Sequence, residues 1–313
     1  MIDAPVAWIT HRQCLLHEMQ PGHPESPRRL QAIADRLAAC GMDLLMQQHE
    51  APPATLAAIE LVHDAAYVNE LIAIKPNVGL LAINADVVLN PHSIDAALHA
   101  AGAAMLGVDL VLDDRASLAF AAVRPPGHHA ESAAPMGFCI FNNIAVAAAH
   151  AFTRGVQRIA IIDFDVHYGN GTADIFGRDP RVQLFSTYQA QLYPHWQAAP
   201  GMHSLIDVPL AAGEGSAAFR QAVSDHWLPA LRAFAPELLL VSAGFDAHAQ
   251  DPLASLRFST DDFRWIGDVI RREAAELCHG RVVATLEGGY NLDTLGRCVE
   301  AFLQPFLGTS ASA

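Results

Sequence analysis

Positive charge is scarce in this chain. Its 313 residues carry 19 Lys+Arg against 33 Asp+Glu, a formal balance of −14. Phosphate binding needs clustered cations, so nucleic acid is not expected as a partner. Charge of either sign is modest at 17%, while 52% of residues are hydrophobic, the opposite of the bias of a disordered chain. Cysteine is thin as well. Cys14, Cys40, Cys139, Cys278 and Cys298 are odd in number, far apart and never in a CxxC pair. That excludes a disulfide framework and a Cys-ligated zinc site, and it reads as reduced thiols. Apolar runs such as 144–149 and 238–241 are too short to span a bilayer. The opening MIDAPVAWITHRQ lacks the basic and apolar regions of a signal peptide. A cytoplasmic protein with no membrane partner is expected. The 21 Gly and 19 Pro follow no period, which removes collagen-like and coiled-coil chains. Histidine, by contrast, is plentiful, with 16 residues.

Short β-branched and apolar runs alternate with longer Ala/Leu stretches of helical period. The pattern predicts strands at 6–10, 118–123, 158–163, 182–186, 237–242 and 281–286. It predicts helices at 27–40, 64–73, 93–112, 141–153, 217–234, 260–278 and 293–307. Gly41, Gly155 and Gly280 stand where helices should end, and Asp64, Ser93 and Thr260 where they should begin. Runs such as IAII and ELLLV are apolar on both faces, the mark of a parallel sheet covered on each side. The expectation is an α/β fold: an open, mainly parallel sheet flanked by helices, forming one domain over 1–308 with a flexible tail at 309–313.

In an open α/β sheet the site lies beyond the carboxyl ends of the strands. After 118–123 comes Arg124-Pro-Pro-Gly-His128-His129, which can continue neither strand nor helix and so presents two imidazoles from a rigid loop. Taken alone, such a pair is more often incidental to a surface loop. After 158–162 comes a segment in which strand alternation puts Asp163, Asp165 and His167 on one face. Charge there is costly unless neutralised, and Asp oxygen and His nitrogen are normal zinc ligands; a cluster of strand-end caps is the alternative. After 237–242, Asp246 serves as a third ligand or as a helix cap. After 281–286, Gly288 and Gly289 let the backbone approach closely and turn Tyr290 inward, unless the segment is a plain turn with a packed aromatic. Four strand ends delivering these groups to one edge point to a metal hydrolase. An Asp/His/Asp set leaves coordination open for water and substrate, as catalytic zinc requires.

RPPGHHA, MGFCIFNN, DFDVHYGNGT, SAGFDAH and LEGGYNL, in this order, resemble the motifs of the zinc-dependent histone deacetylase/acetylpolyamine amidohydrolase superfamily. The resemblance runs from HPESPRRL to the last helix and implies the arginase–deacetylase fold. It also implies roles. Asp165, His167 and Asp246 match zinc ligands, His129 the general base and acid, and His128 a second, electrostatic histidine backed by Asp163. Tyr290 matches the residue that polarises the substrate carbonyl together with zinc. Gly137 and Phe138 match one wall of an acyl-lysine tunnel and Tyr193 the opposite wall. A structural potassium ion would take Asp163, Asp165, His167, Ser186 and Thr187.

Two departures bear on the subtype. Asn170 stands where class I members carry Asp behind the base, which makes this a class II-like member and should leave His129 less basic. Leu253 stands where the polyamine-specific relative carries a gating Glu, which favours acyl-lysine. The substrate expected is therefore an acyl-lysine peptide or protein, with a small N-acetyl-amine as the alternative. Asp86 and Glu131 would rim the entrance in that second case, although capping or solvation accounts for both. A catalytically weak acyl-lysine binder is disfavoured by Tyr290, and an arginase-like ureohydrolase by the order of acids in DFDVH. A homo-oligomer is possible. His49, His99 and His150 read as ordinary residues, while His17, His23 and His248 fall near site-forming loops without an assigned role.

Overall fold

The computed structural model describes residues 5–308, so the expected tail at 309–313 lies outside the described residues. Ten strands follow in chain order: β1 Val6–Thr10, β2 Gln47–Glu50, β3 Leu81–Ala82, β4 Val88–Leu89, β5 Leu118–Ala121, β6 Ile159–Asp163, β7 Val182–Gln189, β8 Leu205–Leu210, β9 Leu238–Ala243 and β10 Val282–Leu286. Eight of them form one sheet in the order β2-β1-β5-β10-β9-β6-β7-β8, and β3 and β4 make a separate hairpin. Every pairing within the large sheet is parallel. The central strands are buried along their whole length, as two-sided apolar runs require.

The strand order places the site. The chain lays down β6 three positions away from β5, and β9 and β10 later fill the two places between them. Strands β5, β10, β9 and β6 therefore stand side by side, and their carboxyl ends carry the four segments singled out above. Helices cover both faces. Ser93–Leu112 and Asn143–Thr153 pack together on one, and Arg28–Cys40, Thr260–Leu277 and Leu292–Leu303 on the other. Ser93–Leu112 is long and apolar enough to cross a membrane by composition, unlike the shorter runs, but two-thirds of its apolar window is buried in the protein. It lies so close to the sheet that a side chain at Gly107 would meet Val283 Cγ1 at 2.8 Å and Ala119 Cβ at 3.2 Å.

The element ends differ from expectation where side chains compete. Ser93 is the first helical residue, and its hydroxyl accepts from Asn90 N at 2.8 Å rather than capping the helix. The cap before Thr260 is Ser259, which forms a reciprocal box with Asp262. Asp64 does cap its helix, accepting from Ala66 N at 2.8 Å. The helical run from 217 is interrupted by a π segment, Val223–Trp227.

Candidate active site

The carboxyl end of β6 turns sharply after Asp163. Gly244 and Gly288 let two neighbouring loops close over it: a Cβ at Gly244 would lie 2.1 Å from Asp165 Oδ2, and one at Gly288 1.9 Å from Asp246 Oδ2. Asp165, His167 and Asp246 thus meet, one ligand-type atom from each within 4.8 Å of the others. Both carboxylates are fully buried. His167 Nδ1 lies 3.0 Å from Asp165 Oδ1 and 3.2 Å from Asp246 Oδ2. Asp165 Oδ2 accepts from Gly288 N at 2.8 Å, and Asp246 Oδ1 from Val166 N at 2.9 Å. Beyond the approach of His167 Nδ1 at 3.2 Å, Asp246 Oδ2 has no hydrogen-bond partner among the described residues, which is costly for a buried oxygen. Burial would lower the His167 pKa, yet the Asp165 and Asp246 carboxylates raise it to about 10. The point where the three side chains meet demands positive charge, and two carboxylates with one imidazole fit a divalent ion of the zinc type.

Beside this cluster, the loop after β5 holds His128 and His129, with ring centroids 4.0 Å apart. The loop is pinned by Glu287, which accepts from Gly127 N at 2.7 Å and His128 N at 3.1 Å. His128 Nδ1 lies 2.9 Å from Asp163 Oδ2, and His129 Nδ1 lies 2.7 Å from Asn170 Oδ1. The two imidazoles are driven in opposite directions. For His128, burial is outweighed by Asp163 and Asp165, and its pKa rises to about 10. For His129, burial is reinforced by His128 and His167, and its pKa falls well below the usual histidine value. Environments that push two adjacent imidazoles apart in this way suit the division of roles that proton transfer at a hydrolytic site needs.

Tyr290 follows Gly289, whose φ of +121° suits glycine alone. Two residues without a role in the sequence pattern hold its backbone, and a third, Glu25, braces one of them. Asp251 Oδ2 accepts from Tyr290 N at 2.7 Å and Asn291 N at 3.2 Å. Arg29 Nε donates to Gly289 O at 2.7 Å, another of its nitrogens donates to Glu287 O, and its guanidinium lies 4.8 Å from the centre of the Tyr290 ring. Glu25 pairs with Arg29 at 3.3 Å and takes two hydrogen bonds from Arg124, at 2.5 and 2.6 Å. Burial would raise the Glu25 carboxyl, but Arg124 above all, with His17 and Arg29, holds it at about 2. The HPESPRR segment marks this buried network, yet its contacts lie about 100 and 260 residues away.

Phe138 stands edge-on to Tyr290, with centroids 6.0 Å apart, and Tyr193 edge-on to His129 at 5.3 Å. Gly137 lies under the His129 ring, where a Cβ would be 2.3 Å from Cδ2. His23 backs Phe138 at 4.7 Å. His17 is buried against Ser93 and His248 is packed near Thr260. Leu253 is half-buried, its N–H on Asp251 Oδ1 at 3.1 Å. Neither rim acid stands free. Asp86 Oδ2 accepts from the Tyr193 hydroxyl at 2.7 Å, and Glu131 Oε1 from Asn170 Nδ2 at 2.7 Å, so capping and plain solvation describe neither. Ser186 pairs with Asp163 across β6 and β7, and the hydroxyls of Ser186 and Thr187 are buried without partners among the described residues.

Comparison with known proteins agrees with this arrangement. Residues 23–306 match the histone deacetylase domain model. The chain is 40% identical to a protein named histone deacetylase 10, chloroplastic, of Oryza sativa subsp. japonica, over 93% of this chain and 71% of that protein. It is 36% identical to a histone deacetylase-like amidohydrolase of Pseudomonas aeruginosa, over 93% of this chain and 78% of that one. The crystal structure of the HDA15 HD domain superposes with a TM-score of 0.90 at 30% identity, covering 99% of this chain and 90% of that chain.

Proposed function

The chain belongs to the histone deacetylase family of amide hydrolases, and on that footing we propose that it is a zinc-dependent deacylase. It hydrolyses the amide of N-acyl-lysine in a peptide or protein to free amine and carboxylate, with residues 1–308 acting as one deacetylase domain. The observation that carries this reading is the meeting of Asp165, His167 and Asp246 beside the paired His128 and His129 rings, whose Nδ1 atoms lie against Asp163 and Asn170. Those three side chains would hold zinc, which supplies Lewis acidity that polarises the acyl carbonyl and acidifies water. His129, its Nδ1 engaged by Asn170, takes the proton of the attacking water and returns it to the leaving amine. His128 keeps its proton on Asp163 and contributes positive charge. The Tyr290 hydroxyl donates to the developing oxyanion, and Asp251 and Arg29 hold the backbone that carries it. Phe138 with Gly137 and Tyr193 would line the two sides of the acyl-lysine path, with Asp86 and Leu253 farther out. A potassium ion held by Asp163, Ser186 and Thr187 would satisfy hydroxyls that otherwise lack partners.

Acyl-lysine is favoured over a polyamine because Asp86 and Glu131 are both engaged by side chains and Leu253 is apolar. The test is a parallel assay of the zinc-loaded chain on acetyl-lysine peptide, longer acyl-lysines and N-acetylputrescine. The expected result is kcat/KM at least about tenfold higher on a lysine substrate, about 1.4 kcal/mol of transition-state preference. A reversed preference would overturn the substrate assignment.

A further inference from the structure

Behind His129 lies a chain of two hydrogen bonds that ends on an acid. His129 Nδ1 is 2.7 Å from Asn170 Oδ1, and Asn170 Nδ2 is 2.7 Å from Glu131 Oε1. The other neighbours of Nδ2 are weak acceptors by kind or by distance: Met136 Sδ at 3.2 Å and His129 O at 3.5 Å. Glu131 is itself fixed in place. Its N–H donates to Ala134 O at 3.0 Å, and its carbonyl accepts from His63 Nδ1 at 2.9 Å.

The two ends of a primary amide are not equivalent, since the oxygen only accepts and the nitrogen only donates. A carboxylate also only accepts, so Glu131 draws the Asn170 nitrogen to itself and leaves the oxygen facing His129. His129 must then carry its proton on Nδ1, which leaves the Nε2 lone pair free to take a proton. Reversing the amide would set two acceptor oxygens against each other at Glu131 and present a donor to Nδ1. The ring would then hold its proton on Nε2 and have nothing there to accept with. We propose that Glu131 is a positioning residue that sets the Asn170 amide and, through it, the tautomer of His129. A neutral amide between His129 and a carboxylate thus does the orienting that a directly bonded Asp would do by charge. This inference rests on His129 being the base.

Steady-state kinetics of the zinc-loaded enzyme on acetyl-lysine peptide provide the test, with zinc content measured alongside. Glu131→Leu should lower kcat at least about tenfold, part of the roughly 100- to 10,000-fold that a general base supplies. KM should stay within about twofold and zinc should stay bound. Placing Asn170→Asp in the Glu131→Leu background should recover most of the loss, because an Asp needs no orienting to accept from Nδ1. A double variant no better than Glu131→Leu, or a Glu131→Leu enzyme as active as the parent, would overturn the proposal. If Glu131→Leu does not fold, Glu131→Gln takes its place: its amide can present either end, so kcat should fall with KM unchanged, and an unaltered kcat would count against the idea. His129→Ala separates the two levels. Activity surviving in that variant removes the base assignment, whereas its loss beside a fully active Glu131→Leu removes only the role of Glu131.

Discussion

Gly288 shows how tightly single positions are bound to the chemistry. Its N–H supports Asp165, and an added Cβ would press on Asp246 Oδ2 at 1.9 Å and Asp165 Oδ2 at 2.5 Å. Gly288→Ala should therefore weaken zinc binding by about ten- to a hundredfold, read by competition with a chelator. Gly213 has φ of +89° but open space around it, so Gly213→Ala should leave zinc affinity intact and cost about 1 kcal/mol of stability through backbone strain. At Tyr290 the loss of one hydroxyl is expected to lower kcat by about a hundred- to a thousandfold, with zinc retained; an unchanged kcat would remove Tyr290 from the reaction. The side chains at these strand ends were legible because each follows a recognisable strand within a few residues. Glu25, Arg29, Asp251 and Glu287 were not, since their importance lies in partners that only the folded chain brings near. Glu131 reads as a cap or a solvated acid, with a rim role only for a polyamine substrate, because nothing in HHAE says which way the Glu points.

At the scale of the element, helix Thr260–Leu277 begins with the Ser259–Asp262 box. Ser259→Ala should cost about 1 kcal/mol in urea denaturation, whereas Thr260→Ala should cost less, its hydroxyl making only long contacts of 3.5 Å to His248 and 3.9 Å to Cys298. An equal loss in both variants would contradict the cap assignment. The central strands were readable because burial on both faces leaves an unbroken apolar run. The edges were not. β2 reads QQHE and is largely exposed, and β8 is half-exposed along most of its length, so neither stands out from loop sequence. The helix Asn170–Phe176 escaped notice because it starts Asn-Gly-Thr, which is turn chemistry; Gly171 is there because a Cβ would lie 2.2 Å from Ala130 O.

At the scale of the whole molecule, acid should loosen the fold through histidines buried neutral. His63 accepts from Asn142 N at 2.9 Å, and burial lowers its pKa to about 4. The unfolded chain takes up that proton near pH 6.5 and the folded chain only near 4, so stability is complete above 6.5 and is lost as pH falls toward 4. The contribution of His63 should shrink by about 2 kcal/mol between pH 7.5 and pH 5. Denaturation of His63→Gln at both values checks this: the variant should lose about that much less than the parent on acidification, and parallel losses would refute it.

The sheet runs one way, so its two ends have unrelated duties. The groups assigned to chemistry gather where the strands finish. Where β6 and β10 start, the chain turns at Gly155 and Gly280, each with room for a side chain and with φ of +94° and +78°. A cleft of about 420 Å³ lined by Arg154, Glu237, His279 and Arg281 lies at this end. A surface tether or an inserted recognition peptide at Gly155 would hold the molecule by its back and leave the mouth facing solution. For an immobilised biosensor or a bead-bound catalyst, orientation then comes from the fold itself.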